Sequence, residues 1–213
     1  MRSRNLIRPG VYGSLVTLLI ACNRDPAPVA VPQVSPQAAG KQAVADYDQN
    51  ADGVLSVDEL SAAPALHANF LRLDTDKDGK LTAEEITTRV QAWHDIGLGM
   101  LAVPVTVTLD AAPLADATVT FVPESFLGSA YKSGSGVTKP SGETTVTLAE
   151  GDRPDTGVTG MPPGFYTVKI SKFVSGKESL SAQYNTTSVL GVEVRLDQEN
   201  SAGRYVFDLV SDE

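Results

Sequence analysis

Asp48-Gln49-Asn50-Ala51-Asp52-Gly53-Val54-Leu55-Ser56-Val57-Asp58-Glu59 decides how this chain is read, because a second stretch repeats its pattern. Asp74-Thr75-Asp76-Lys77-Asp78-Gly79-Lys80-Leu81-Thr82-Ala83-Glu84-Glu85 begins 26 residues later. Both satisfy D-x-[DN]-x-[DN]-G-x5-E at every specified position. A tightly wound loop of this length turns positions 1, 3 and 5 toward one centre. Gly53 and Gly79, at position 6, permit a sharp turn that a side chain would resist. Converging oxygens suit a hard cation, and calcium takes about six to eight of them at about 2.3–2.6 Å.

The two stretches resemble an EF-hand pair. That pattern predicts Asp48, Asn50, Asp52 and Glu59 as side-chain ligands, with Val54 giving its carbonyl and Ser56 acting through water. In the second loop the same roles fall to Asp74, Asp76, Asp78 and Glu85, to Lys80, and to Thr82. Leu55 and Leu81 are expected to pair in the short strand joining the loops. Val44, Tyr47, Phe70 and Leu73 precede the loops, and Ile86, Val90 and Trp93 follow at helical spacing, as a small shared core requires. Pro64 ends the first exit helix and opens the next. Short exit helices without a Met-rich face predict a structural or buffering module rather than a sensor. His67 and His94 read as solvated or packed imidazoles. Dockerins are similar in their tight loop spacing, which makes a calcium-dependent adaptor the alternative; their repeats are near duplicates, whereas the flanks here differ.

The chain has 213 residues, with 26 Asp plus Glu against 17 Lys plus Arg and a net charge of −9. That balance argues against a nucleic-acid partner. The single Cys, Cys22, excludes a disulfide framework and a multi-Cys zinc site. Arg2, Arg4 and Arg8 precede an apolar run over 11–21, too short to span a bilayer. Leu19-Ile20-Ala21-Cys22 resembles a bacterial lipoprotein lipobox, which implies a signal peptide over 1–21 and lipidation of Cys22. Losing the three Arg takes the net charge from −9 to −12. The implied location is the cell envelope, membrane-anchored and facing periplasm or exterior; a plain secretory signal with an incidental Cys is the alternative. Residues 22–40, with Pro26, Pro28, Pro32 and Pro36, read as a semi-rigid spacer.

The EF-hand pair is assigned to 41–98 and a β domain to 101–213. Alternating stretches predict strands over 102–109, 117–122, 144–148, 165–171, 189–196 and 204–210, with another near 130–138. The number of short strands suggests a Greek-key sandwich, giving an α+β multidomain chain. Val105-Thr106-Val107-Thr108-Leu109-Asp110, Pro113-Leu114-Ala115-Asp116-Ala117 and Met161-Pro162-Pro163-Gly164-Phe165-Tyr166 resemble carboxypeptidase-regulatory-like, transthyretin-like (Ig-like) β-sandwiches of planctomycete-type lipoproteins. The β domain contains no His, no Cys and no G-x-S-x-G, so no enzymatic role is expected. Its expected role is structural or adhesive, with an envelope protein or polysaccharide as partner. A sandwich with its own core should not respond to calcium, so the ion's stabilising effect is expected to stop at the module boundary.

Overall fold

Residues 32, 34–96, 99–154, 158–196 and 203–212 are described by a computed structural model. The leader over 1–21, Cys22 and most of the Pro-rich stretch lie outside the described residues. Helix α1 (Pro36–Tyr47) starts inside that stretch, earlier than the spacer reading expects. Ser35 caps it, its hydroxyl accepting the Ala38 N–H at 3.3 Å, and Pro36 supplies a helical φ where an N–H is not needed. Its buried residues Pro36, Ala39, Gly40 and Ala43 recur at spacings of three and four, one face of a helix. That face meets helix α4 (Ala83–Ile96). At Gly40 a Cβ would lie 2.2 Å from the Ala83 carbonyl oxygen, so only glycine permits this approach.

Between these helices the chain passes through β1 (Leu55–Ser56), a 3-10 turn (Glu59–Ala62), α2 (Pro64–Ala68), α3 (Phe70–Leu73) and β2 (Lys80–Leu81). Pro64 stands at the start of α2 and holds Ala63 out of the helical region, at φ −125° and ψ 72°, which limits the first exit helix to one turn. Leu55 pairs with Leu81, both fully buried.

The second half forms β3 (Val103–Leu109), β4 (Ala112–Pro113), β5 (Thr118–Pro123), β6 (Gly134–Val137), β7 (Glu143–Leu148), β8 (Gly164–Ser171), β9 (Phe173–Val174), β10 (Lys177–Glu178), β11 (Gly191–Val194) and β12 (Tyr205–Leu209). Eight strands share one sheet in the order β11-β8-β5-β6-β7-β3-β12, with β4 beside β3; β9 and β10 pair separately. All pairs are antiparallel except β12 with β3. Alternation set these strands: Val103, Val105 and Val107 face inward along β3, as do Val119 and Phe121 on β5. The sheet curls until its edges meet. Tyr205 on β12 donates its hydroxyl to the Glu193 carbonyl on β11 at 3.0 Å, and Phe121 packs edge-on against Tyr205 and Phe207. The chain is thus α+β, with a few helices and one large, mostly antiparallel sheet.

The helices do not form a separate body. One cluster of buried side chains runs from Ala39 through Trp93 to Leu209. The Trp93 and Phe165 rings lie 4.9 Å apart, and Phe126 bridges Phe165 to Tyr47. At Gly191 a Cβ would fall 2.1 Å from the Pro64 carbonyl, so α2 lies backbone to backbone on strand β11. The expected module boundary is therefore a packed interface. Two buried acids, Glu124 and Glu193, sit in it.

Candidate metal centre

Each loop is wound by its own ligand side chains. In the first, the Asp48 carboxylate accepts the Ala51 and Gly53 amides at 2.7 and 2.9 Å, Asn50 accepts from Asp52, and Asp52 from Val54. In the second, Asp74 accepts the Asp78 and Gly79 amides at 3.2 and 3.0 Å, Asp76 from Asp78, and Asp78 from Lys80. Gly53 and Gly79 take φ of 87° and 85°. Position 4 is also left-handed in both loops, at Ala51 and Lys77 (φ 61° each), although neither is a glycine. The local carboxylate bonds hold that strained turn.

The glutamate at position 12 closes each loop. Glu59 accepts the Gln49 and Asn50 amides with one oxygen and the Ser56 amide and hydroxyl with the other, at 2.7–3.2 Å. Glu85 likewise spans Thr75 and Thr82, at 2.8–3.2 Å. Ser56 and Thr82 return the contact, their hydroxyls accepting the Glu59 and Glu85 amides; Thr82 stands directly before α4, so its pair with Glu85 is a capping box. The amide and hydroxyl of Ser56, then the Asn50 and Gln49 amides, hold the Glu59 carboxyl down at about 2 despite partial burial. Burial raises Glu85, but the Thr82 and Thr75 donors outweigh it and leave the group below its usual range.

These donors fit calcium. Asp74, Asp76 and Asp78 bring three carboxylate oxygens within 4.8 Å of one another, an all-oxygen cluster of the kind a hard divalent ion takes. The first loop has Asn50 where the second has Asp76, so it carries one charge less. Val54 and Lys80 occupy position 7, and the Lys80 ammonium reaches across the β1–β2 pair to Asp52 at 3.5 Å. His67 is exposed and His94 is half-buried on α4.

Each half of the site is tied to the sheet by one acid. Tyr47, one residue before the first loop, donates its hydroxyl to Glu124 at 2.8 Å; the Ala65 amide and Thr167 hydroxyl donate to the same carboxylate at 3.1 and 3.0 Å. Glu193 takes the Trp93 indole N–H at 2.7 Å and the Arg89 guanidinium, with Arg72 and Arg195 at 3.7 and 3.8 Å. Burial pushes both carboxyls up; at Glu193, Arg89, Trp93 and Arg72 pull the other way. Sequence reading missed both acids.

Residues 68–90, spanning the second loop and its flanking helices, match the family model described as EF hand. No curated protein and no solved structure matches the chain. The match and the Asp cluster agree on calcium as the ion for the second loop.

Proposed function

We propose that the protein is a calcium-binding, lipid-anchored component of the cell envelope, in which two EF-hand loops reinforce a structural or adhesive β-sheet. The observation that carries the reading is the closed geometry of both loops, each wound by its own carboxylates and spanned by its position-12 glutamate. Asp48, Asn50, Asp52, the Val54 carbonyl and Glu59 would hold one ion, with Ser56 acting through water. Asp74, Asp76, Asp78, the Lys80 carbonyl and Glu85 would hold the other, with Thr82 in the same role as Ser56. The ion supplies charge that offsets the clustered carboxylates. The chain's part is to preset the loops and to pass their rigidity to the sheet through α1 and α4. Calorimetric calcium titration tests the assignment: Glu59→Gln and Glu85→Gln should each remove one site, and full stoichiometry in both variants would refute it.

Anchoring rests on Cys22 in its lipobox context. Detergent phase partitioning of the wild type and Cys22→Ser tests it, with equal aqueous partitioning counting against an anchor. The transthyretin-like reading of the sheet is supported by the corner before β8, where the buried Tyr166 hydroxyl donates to the Pro162 carbonyl at 2.9 Å. No catalytic role belongs to this reading. The adaptor reading is favoured by one observation: Leu71 on α3 is 91% exposed, beside a cleft of about 600 Å³ lined by Val57, His67 and Phe70. Calcium-dependent retention of an envelope partner that Leu71→Ser abolishes would favour it.

A further inference from the structure

The two calcium loops are unequal, and the inequality runs against their sequences. Residues 48–59 hold Asp48, Asp52, Asp58 and Glu59 with no Lys or Arg, a net charge of −4. Residues 74–85 hold Asp74, Asp76, Asp78, Glu84 and Glu85 together with Lys77 and Lys80, a net charge of −3. By that count the first loop is the stronger draw for a cation. The structure reverses the order, because the Lys80 ammonium does not stay with the loop that carries it.

The cause is the register between the loops. Leu55 and Leu81, at position 8 of each, lie opposite one another and are fully buried. Ser56 at position 9 of the first loop therefore faces Lys80 at position 7 of the second. Side chains alternate along a strand, so with Leu81 in the core Lys80 stands on the open face. From there its Nζ lies 3.5 Å from one Asp52 oxygen. The other Asp52 oxygen accepts the Val54 amide at 3.1 Å. Asp52 occupies a ligand position of the first loop, so one carboxylate of that shell already faces a cation. Assigning the Lys80 charge to the loop it touches leaves −3 at the first and −4 at the second. Nothing is returned in exchange: Val54 holds position 7 of the first loop, the place equivalent to Lys80, and its side chain carries no charge.

We propose that the Lys80 side chain competes with calcium for Asp52 and so makes the first loop the weaker site. The second loop uses only the Lys80 carbonyl and keeps its full charge. On the calcium reading of both loops, on which this rests, the second fills before the first. Calcium titration calorimetry on the full chain separates the loops in two backgrounds, Glu85→Gln to report the first and Glu59→Gln to report the second. Adding Lys80→Met to the first background should tighten calcium binding about two- to fivefold, the range for an exposed ion pair. In the second background the same change should alter binding by less. Lys80→Arg keeps the charge and should leave the first loop as weak as in its parent. Salt at about 1 M should shrink the gain, because the Debye length falls to about 3 Å. Val54→Lys, the reciprocal change, should weaken the second loop. An unchanged first loop in Lys80→Met, or an equal gain in both backgrounds, overturns the proposal and leaves the calcium reading standing. A gain that Lys80→Arg shares in full overturns it as well, since charge would not be its cause. A wild type that binds no calcium refutes both, so the parent titration tells the two failures apart.

Discussion

Glu124 and Glu193 do the same job with opposite chemistry. Each is a buried acid of the sheet region that receives one half of the calcium-loop module. Among the described residues Glu124 is met by neutral donors, Tyr47, Ala65 and Thr167, with no cation among those bonds. Glu193 sits among Arg72, Arg89 and Arg195 and takes the Trp93 indole. A carboxylate held by neutral donors can exchange its charge for an amide at little loss. One held by arginines cannot, because removing it leaves the cations behind in a half-buried site. The two halves are therefore docked with unequal sensitivity.

The largest expected effect follows from that asymmetry. Glu193→Leu should destabilise the protein by about 3 kcal/mol, the low end for breaking a buried pair, since its partners stay 15–32% exposed. Urea midpoints measure it; a loss below about 1 kcal/mol would mean that the arginines are content with water. Next in size is calcium itself. With a dissociation constant of about 0.1–1 mM, 10 mM calcium stabilises each site by about 1.4–2.7 kcal/mol. Because Trp93 packs on Phe165, melts followed by Trp93 emission and by the β-sheet circular dichroism should shift upward together. Two separated transitions would restore the independent-module expectation that the interface replaces.

A smaller effect is expected at Gly40→Ala, where the new methyl meets the Ala83 carbonyl: about 1–3 kcal/mol by chemical denaturation. No loss would show that α1 can shift on α4. The smallest is Glu124→Gln, under about 1 kcal/mol at neutral pH, because Gln can still accept from Ala65 and Thr167. Here the sign with pH is informative. Burial raises the Glu124 pKa above its ordinary 4.5, so its contribution is full below that value and is lost as pH rises through the raised one. Stability of the wild type minus that of Glu124→Gln should therefore fall with pH above 4.5. A difference that rises with pH would mean that Glu124 is ionised and well paired.

The loops were legible because calcium chemistry fixes residue types at fixed spacing, and the pairing of Leu55 with Leu81 followed from that spacing. The longer strands were legible from period-two alternation; β3, expected over 102–109, spans Val103–Leu109. What escaped was long-range. The start of α1 was masked by the proline content around it, although Ser35 and Pro36 form a correct helix start. Gly40 looked like the end of a spacer, since nothing local says that another helix crosses there. Glu124 and Glu193 carry no mark of burial in sequence, because their donors come from distant elements. The hairpin over 173–178 was missed because each of its strands has only two residues.

The parallel pairing of β12 with β3 sets the order in which this protein is completed. Tyr205 lies opposite Val105, the last described strand against the first long one of the sheet. Trp93 meets Glu193 across 100 residues and Arg89 meets it across 104, so the calcium module waits for the same late segment. Contacts this distant in sequence make folding slow, because the intervening loop must close before they reward it. A chain delivered from its N-terminus presents its calcium loops long before the surface that docks them, and a truncation that removes β12 leaves the Val105 edge of the sheet open.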